Sequence, residues 1–198
     1  MKNIVFDLGG VILKDKPISV LDSLDIDKET YNQLKIFFDD WKKLNLGEEN
    51  LEDKYNRCNF PKEYDDLYKE KLVNYYKYRD IDQRLINCIS KLKNNGYNVY
   101  ILSDNNKDCF KYYKASSIFK NIDGWTLSCD YHTSKREKQL FNVFINEFNL
   151  DPKECYFIDD KSSNIEEAKK CGMSGITFNS NDDIDKLYDD MRNNGINI

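Results

Sequence analysis

The sequence lacks several patterns that identify whole classes of protein. No apolar run approaches membrane-spanning length, and Met1 leads into a strand pattern without an apolar leader or a small-residue cleavage site. The 30 lysines and arginines are interleaved with 35 acidic residues, so no basic stripe predicts nucleic-acid binding. We therefore expect a cytoplasmic protein that binds neither membranes nor nucleic acids.

Zinc-binding and disulfide patterns are also missing. The one histidine is His132, and no Cys-x-x-Cys pair occurs among Cys58, Cys88, Cys109, Cys129, Cys155 and Cys171. A zinc site needs clustered ligands, and a disulfide framework is typical of shorter secreted chains. We expect reduced thiols, several of them buried, and a loop position without a functional role for His132.

Short β-forming runs alternate with amphipathic helical patterns through most of the 198 residues. Strands are predicted at residues 3–7, 97–103, 124–128, 154–159 and 174–178. Helical patterns lie between them at 85–95, 140–148 and 163–171, and a last one follows the fifth strand at 182–193. This alternation predicts an α/β fold, with a Rossmann-like parallel sheet of about five strands and helices on both faces.

Residues 15–82 interrupt the alternation and contain no convincing strand. Aromatic and aliphatic residues recur there at helical spacing, for example from Tyr31 to Leu44 and from Tyr64 to Tyr75. The segment is predicted to be a small α-helical cap inserted after the first strand, above the carboxyl edge of the sheet. Residues 1–14 and 83–198 would then form the α/β core.

Polar residues stand at the carboxyl ends of three predicted strands, where ligands bind in parallel sheets. They are Asp7 after the first strand, Ser103, Asp104 and Asn105 at the second, and Asp159 and Asp160 at the fourth, with Lys135 before the fourth. Neighbouring carboxylates repel one another and need a counter-charge, for which an oxygen-bound Mg²⁺ is suited. A serine hydroxyl and a lysine ammonium can hold phosphate oxygens. The residues therefore indicate phosphoryl transfer, in which the Asp7 carboxylate can attack phosphorus.

The same stretches resemble a known family. The segments VFDLGGVIL, VYILSDN, SKREKQLF and CYFIDDKSSNIEEAKKCGMSGITF are similar to the four ordered motifs of the haloacid dehalogenase superfamily. The resemblance covers essentially the whole chain, including a helical insertion like that of the subfamily with an α-helical cap. It implies a Mg²⁺-dependent phosphatase that acts on a small phosphorylated metabolite through an aspartyl-phosphate.

The resemblance also implies a role for each metal-site residue. Asp7 would be the nucleophile and a Mg²⁺ ligand, and Gly9 would offer its backbone carbonyl to the metal. Asp159 and Asp160 would complete the metal site, with Asp160 as the more direct ligand. Asn164 would cap the following helix or order the loop.

Substrate contacts are expected from a second set. By the resemblance, Ser103 would bind the transferring phosphoryl group, and Lys135 would neutralise the nucleophile and the phosphate. The Gly10 backbone N–H is predicted to approach the anion, as glycine allows. Asp104 and Asn105 are candidates at the same edge, although the position of Asp104 is also typical of a surface turn residue.

Gly9 departs from the pattern of most phosphatases in this superfamily, which have an aspartate there as general acid and base. Assistance of that kind is typically worth about 10²–10⁴ in rate. The sequence therefore favours activated leaving groups, as in sugar 1-phosphates, aryl phosphates or acyl phosphates, or another acid such as Asp104, a cap residue or a metal-ordered water. Two alternatives stay open: a metal-free dehalogenase, which the Asp159–Asp160 pair disfavours, and a catalytically weak binding or regulatory module.

Overall fold

The computed structural model describes residues 1–14 and 16–198, so Asp15, the first residue of the predicted cap, lies outside the described residues. Five parallel strands form one sheet in these ranges, in the order β3-β2-β1-β4-β5. They are β1 (Asn3–Phe6), β2 (Asn98–Ser103), β3 (Gly124–Leu127), β4 (Cys155–Asp159) and β5 (Ser174–Thr177). The predicted fold class is confirmed, and each strand bound lies within one residue of its prediction.

The strand order makes the centre of the sheet the natural place for a ligand. The chain leaves β1 toward β2 and β3 on one side, and later returns to β4 and β5 on the other. Phe6 lies opposite Ile101 of β2 and Ile158 of β4, and the next residue, Asp7, donates its N–H to the Ile158 carbonyl at 2.9 Å. A crevice at such a switch point opens at the carboxyl ends of the strands.

Helical elements fill the chain between β1 and β2. The α-helices there are α1 (Lys28–Leu34), α2 (Lys42–Asn45), α3 (Leu51–Cys58) and α4 (Glu70–Val73). Short stretches of 3₁₀ helix cover Pro17–Ser23, Lys35–Phe38 and Tyr75–Tyr78, and Asp65–Lys69 is π-helical. The described part of the chain between β1 and β2 contains no strand, only two isolated bridges that join Leu13 to Gly9 and to Ile81, as the pattern of residues 15–82 predicted.

The remaining helices connect and cover the strands. They are α5 (Gln83–Asn94), α6 (Lys107–Lys114), α7 (Ser128–Tyr131), α8 (Gln139–Glu147), α9 (Ser162–Lys170) and α10 (Ile184–Asn193). Further 3₁₀ turns cover Ser117–Asn121, Lys135–Glu137 and Pro152–Glu154. Asp82, Asn106 and Asp183 accept N–H groups at the starts of α5, α6 and α10, so short polar side chains fix where these helices begin.

The two faces of the sheet pack against different helices, because side chains alternate along a strand. Ile4 and Phe6 point to the face covered by α5 and α10, where Leu85 and Leu187 are fully buried. Val5 points to the opposite face, against residues of α8 and α9. Residues of α1 to α4 belong to the same apolar cluster as Ile4 and Phe6, so the core of the helical segment is continuous with the core on this face of the sheet.

The helical segment joins the sheet through two adjacent connections. Lys14 donates its N–H to the Asp80 carbonyl, and Asp82 donates its N–H to the Ile12 carbonyl, each at 2.8 Å. These bonds tie the start of the segment to its end directly beside the residues that follow β1. Within the described ranges, no helix has both the length and the apolar composition needed to cross a membrane.

Candidate active site

The carboxyl edge of the sheet gathers polar side chains from neighbouring strands. Asp7 follows β1, Ser103 ends β2, Lys135 lies in a 3₁₀ turn after β3, and Asp159 ends β4. All four residues are at least nine-tenths buried. Because β1 lies between β2 and β4, the side chains converge around Asp7, as the sequence pattern predicted.

Lys135 joins two of the buried carboxylates. Its Nζ atom lies 2.7 Å from Asp7 Oδ2 and 2.6 Å from Asp159 Oδ2. Burial by itself would lower the pKa of Lys135, but Asp159 and Asp7 together hold that pKa above its ordinary value. The lysine is therefore a fixed positive charge between the two strand ends.

The Asp7 carboxylate is oriented through both of its oxygens. Its Oδ1 atom accepts the Ser103 hydroxyl at 2.6 Å and the Leu8 N–H at 2.7 Å, and its Oδ2 atom faces Lys135. Burial raises the pKa of Asp7 to about 7, with Asp159 adding to the rise and Lys135 opposing it. The carboxylate is thus poorly solvated and is held in one orientation, which suits a nucleophile.

Asp159 has both of its carboxylate oxygens engaged by the protein. Its Oδ1 atom accepts the Lys161 N–H at 2.8 Å, and the Asn164 amide donates to Oδ1 at 2.9 Å and to Oδ2 at 3.0 Å. Burial would raise the pKa of Asp159, but Lys135 and these donors hold it below its ordinary value. Asp159 therefore stays ionised and orients Lys135, and Asn164 orders the loop as predicted.

Asp160 provides the observation that tests the site for a metal. Its Oδ1 atom is buried and has no hydrogen-bond partner within residues 1–14 and 16–198. Burial raises the pKa of Asp160, because its ionised form lacks solvation there. Carboxylate oxygens of Asp7, Asp159 and Asp160 lie within 4.8 Å of one another. An all-oxygen set with an unsatisfied buried acceptor fits a hard divalent cation such as Mg²⁺.

Gly9 and Gly10 differ in what surrounds them. A Cβ atom at Gly9 would meet no atom of the described residues within 4 Å. Gly10 has a φ of +78°, and a Cβ atom there would lie 2.7 Å from Asp160 Oδ2, so glycine allows the loop to approach this carboxylate. The Gly10 N–H donates to the Leu13 carbonyl at 2.9 Å. This corrects the prediction that the Gly10 N–H faces an anion, because the turn uses that donor.

Asp104 and Asn105 form hydrogen bonds with other residues of the chain. Asp104 Oδ1 accepts the Lys135 N–H at 3.0 Å, so this side chain orients the start of the lysine turn. The Asn105 N–H donates to Ser128 Oγ at 3.0 Å, and Asn105 Oδ1 accepts the Asn106 N–H at 2.9 Å. The predicted contacts of Asp104 and Asn105 with substrate remain predictions, and they would use side-chain atoms that do not form these hydrogen bonds.

Two sets of residues beside the site were not predicted. Arg84 forms a bidentate pair with the buried Asp82 carboxylate and donates to the Ser180 carbonyl, while the Ser180 N–H donates to the Gly10 carbonyl at 2.8 Å. The only sequence signal for this set is that Asp82 precedes a helix. The second set is Ser128 with His132, whose Nδ1 atom lies 2.6 Å from the Leu46 carbonyl oxygen.

A family comparison and a comparison with curated proteins agree with this geometry. The family model for haloacid dehalogenase-like hydrolases matches residues 1–172, which include Asp7, Ser103, Lys135, Asp159 and Asp160. A curated D-ribitol-5-phosphate phosphatase from Bacteroides thetaiotaomicron is 28% identical over 191 residues, which cover 87% of this chain and 89% of that protein.

Solved structures share the fold over nearly their full length. A HAD family enzyme from Bacteroides thetaiotaomicron, crystallised with magnesium and inorganic phosphate, has a TM-score of 0.72 at 20% identity and covers 95% of this chain and 99% of its own. A HAD phosphatase from Thermococcus onnurineus also has a TM-score of 0.72, at 21% identity, and 99% of both chains is covered. At these identities the similarity establishes a common fold.

Proposed function

The chain belongs to the haloacid dehalogenase-like hydrolases, and we propose that within this family it is a Mg²⁺-dependent phosphatase of a small phosphorylated metabolite. One observation carries the proposal. Lys135 holds Asp7 from one side while the Ser103 hydroxyl holds it from the other, and the buried Asp160 oxygen nearby lacks a partner among the described residues. A dehalogenase without a metal has no use for that third carboxylate.

The first chemical step is displacement at phosphorus. An oxygen of Asp7 forms a bond to phosphorus while the bond from phosphorus to the leaving-group oxygen breaks, and the leaving group takes that electron pair. Lys135 neutralises charge that develops next to Asp7, since its Nζ atom is 2.7 Å from the carboxylate. The Ser103 hydroxyl, 2.6 Å from Asp7, can rotate to donate to a phosphoryl oxygen.

The second step returns the carboxylate. Water attacks the phosphorus of the aspartyl-phosphate and passes a proton to a phosphoryl oxygen, the bond between Asp7 and phosphorus breaks with its electron pair returning to the carboxylate, and inorganic phosphate leaves. Mg²⁺ would be held by Asp7, Asp160 and the Gly9 carbonyl, with support from Asp159. The bound ion would supply positive charge for the phosphoryl oxygens. Asp159 acts mainly by keeping Lys135 in position, because its own oxygens are already bonded.

Gly9 sets the preferred leaving group in this proposal. The position offers no side chain that could protonate a departing oxygen, and Asp104 is engaged with the Lys135 backbone. Departure without a proton is easier for a phenolate, an anomeric oxygen or an acyl oxygen than for a simple alkoxide. We therefore propose a preference for activated leaving groups such as those of sugar 1-phosphates.

The relatives suggest an overlapping substrate class. A phosphatase for D-ribitol 5-phosphate is 28% identical to this chain, which supports a phosphorylated sugar or polyol as the substrate. The leaving group of D-ribitol 5-phosphate is a primary alcohol. A sugar 5-phosphate therefore needs a general acid to protonate its leaving group, whereas a sugar 1-phosphate needs one less. Comparing the turnover of sugar 5-phosphates with that of sugar 1-phosphates shows whether the substrate preference follows the relative or the leaving-group preference expected from Gly9.

We also propose that residues 15–82 form a cap that covers the site and selects the substrate. The described part of this segment is helical, and its two connections flank the loop that follows Asp7. The remaining ranges, 1–14 and 83–198, would be the core. A cap over the carboxyl edge favours a small substrate over a macromolecular one, because it restricts access to the site.

Turnover of p-nitrophenyl phosphate, acetyl phosphate, sugar 1-phosphates and sugar 5-phosphates, with and without Mg²⁺, tests the proposal. We expect Mg²⁺-dependent release of phosphate that is lost in Asp7→Asn. If a folded protein that binds Mg²⁺ hydrolyses none of these compounds, the alternative of a catalytically weak binding or regulatory module is favoured, and Gly9 would be its cause.

The leaving-group prediction has a matched variant. Gly9→Asp should fold normally, because a Cβ atom there meets no atom within 4 Å in the described part of the chain and the backbone φ is not positive. In a series of aryl and alkyl phosphates, we expect the rate of the natural protein to depend more steeply on the leaving-group pKa than that of Gly9→Asp. The variant should gain about 10–100-fold on alkyl phosphates. Equal slopes would contradict the role assigned to Gly9.

A further inference from the structure

The turn Ser103–Asn105 contacts three different parts of the protein through consecutive residues. The Ser103 hydroxyl donates to Asp7 at 2.6 Å, and the Asp104 carboxylate accepts the Lys135 N–H at 3.0 Å. The third residue, Asn105, donates its N–H to Ser128 Oγ at 3.0 Å. A displacement of this turn would therefore move the serine and the lysine of the site together.

Ser128 connects the turn to the helical segment. Its side chain is fully buried, and its hydroxyl donates to the Asn45 carbonyl at 2.6 Å while accepting the Asn105 N–H. A hydroxyl has one proton to donate and lone pairs to accept, so both bonds can form at once. Asn45 ends α2, so one hydroxyl joins the helical segment to the backbone of the turn.

The two residues after Asn45 also lie against the segment that starts at Ser128. The Leu46 carbonyl is 2.6 Å from His132 Nδ1, which must carry a proton to donate. Gly47 has a φ of +69°, and a Cβ atom there would lie 2.4 Å from the Cys129 carbonyl oxygen. We call Asn45–Gly47 the docking strip, because each of its residues contacts the segment 128–132.

We propose that Ser128 is a positioning residue that couples docking of the strip Asn45–Gly47 to the geometry of the turn Ser103–Asn105. With the strip in place, the hydroxyl proton goes to Asn45, and a lone pair is aimed at the Asn105 N–H. Without it, the hydroxyl can rotate to donate to the Asn105 carbonyl, which lies 3.4 Å from Ser128 Oγ, and the bond from the Asn105 N–H weakens. The consequence for turnover rests on the proposed phosphatase function.

His132→Ala tests the coupling without changing the side chain of Ser128 or any residue of the turn Ser103–Asn105. His132 is exposed, so its replacement removes the bond to the Leu46 carbonyl and loosens the docking strip, which weakens the bond from Ser128 to Asn45 while the Ser128 side chain stays in the protein. The readout is hydrogen exchange of the Asn105 amide, followed by NMR on the metal-free protein. We expect exchange about tenfold faster in His132→Ala, as for loss of about one hydrogen bond, and faster still in Ser128→Ala.

Thr126→Val is the matched control. Thr126 lies on β3, is fully buried like Ser128, and donates its hydroxyl to Glu147 at 2.7 Å rather than to the turn Ser103–Asn105. Its removal should lower stability without a specific effect at Asn105. Faster exchange at residues 45–47 in His132→Ala with unchanged exchange at Asn105 would overturn the proposal. Should Ser128→Ala fail to fold, this comparison still decides.

Kinetics give a second, separate readout. We expect His132→Ala and Ser128→Ala to lower kcat by about tenfold or more, because Ser103 and Lys135 are less well oriented in the transition state, with a smaller change in KM. A change in KM alone would show that the strip only shapes the substrate pocket, and would contradict the coupling. The exchange experiment needs no turnover, so its outcome stands even if the proposed function fails.

Discussion

At the scale of single residues, Asp7, Lys135 and Asp159 form a buried group of two negative charges and one positive charge. Removing such charges from water is costly, and their attraction only partly offsets the cost. The uncompensated cost of burial falls on the charge of Asp7, whose pKa is raised to about 7 by burial. Asp159, in contrast, is kept ionised by Lys135 and its amide donors. Asp7, the proposed nucleophile, is therefore the destabilised member of the group.

Replacing Asp7 with asparagine should stabilise the metal-free protein at high pH. A carboxyl group whose pKa is raised by folding favours the folded state below its ordinary value of 3.8, and this contribution is lost as the pH rises through about 7. An asparagine side chain never ionises, so Asp7→Asn should be more stable at pH 8 by on the order of 2 kcal/mol, with the difference shrinking toward pH 4. Urea unfolding at both pH values measures it.

The comparison must be made with chelator present, because a bound cation would reverse the sign by favouring the ionised form. Asp39→Asn is a suitable control, since this exposed carboxylate lies outside the group. A variant with lower stability than the natural protein at pH 8 would show that the bond between Lys135 and Asp7 outweighs the burial of Asp7.

The sequence predicted which residue types meet at the site, but not which hydrogen bonds and ion pairs each of them forms. Asp7, Ser103 and Asp159 were predictable because parallel strands bring their carboxyl ends to one edge. The engagement of Asp104 with Lys135 and of Gly10 with Leu13 depends on loop dihedral angles, which residue type only weakly restricts. Ser128 was missed because a single serine after a strand carries no pattern.

At the scale of elements, the strands were predictable and the helical segment only partly so. A buried strand such as Cys155–Asp159 is a short apolar run with clear ends, so its bounds follow from composition. Between β1 and β2 the spacing indicated helices, but not their interruption by 3₁₀ turns and by the π-helical stretch Asp65–Lys69. Those breaks come from tertiary packing, which overrides local propensity.

Arg84 provides an element-scale prediction, since it ties the start of α5 to the loop after β5. Its guanidinium pairs with the buried Asp82 and donates to the Asp182 carbonyl at 3.0 Å and to the Ser180 carbonyl. Arg84→Met should lower the free energy of unfolding by about 2 kcal/mol, because it leaves the Asp82 carboxylate buried with fewer donors. Chemical denaturation measures the loss.

Arg84→Lys separates charge from geometry. A lysine keeps the positive charge but cannot reproduce the planar fork that contacts two oxygens of Asp82 and a neighbouring carbonyl at once. The expected stability lies between those of the natural protein and Arg84→Met. If the lysine variant is as stable as the natural protein, the fork contributes nothing and the charge alone accounts for the pair.

At the scale of the whole molecule, the helical segment and one face of the sheet share a continuous apolar cluster. Phe37 and Leu72 of the segment are fully buried in the cluster that contains Ile4 and Phe6. The sequence indicated apolar stripes on these helices but not which way they face, because orientation depends on the path of the connecting loops. Shared burial predicts that the segment and the sheet unfold together, so a ligand at the carboxyl edge stabilises both.

Mg²⁺ should accordingly raise the melting temperature of the entire chain in one transition. A ligand at about 100 times its Kd contributes about 2.7 kcal/mol to stability, which for a protein of this size corresponds to about 5–10 °C.

Asp160→Asn should abolish this response to Mg²⁺ while leaving the metal-free protein as stable as before or more so at pH 8. The reason is that burial raises the pKa of Asp160, and its Oδ1 atom has no bond to lose within the described ranges. Scanning calorimetry with and without Mg²⁺ measures both effects, and an Asp160→Asn protein that still responds to Mg²⁺ would move the cation away from the carboxyl ends of β1 and β4.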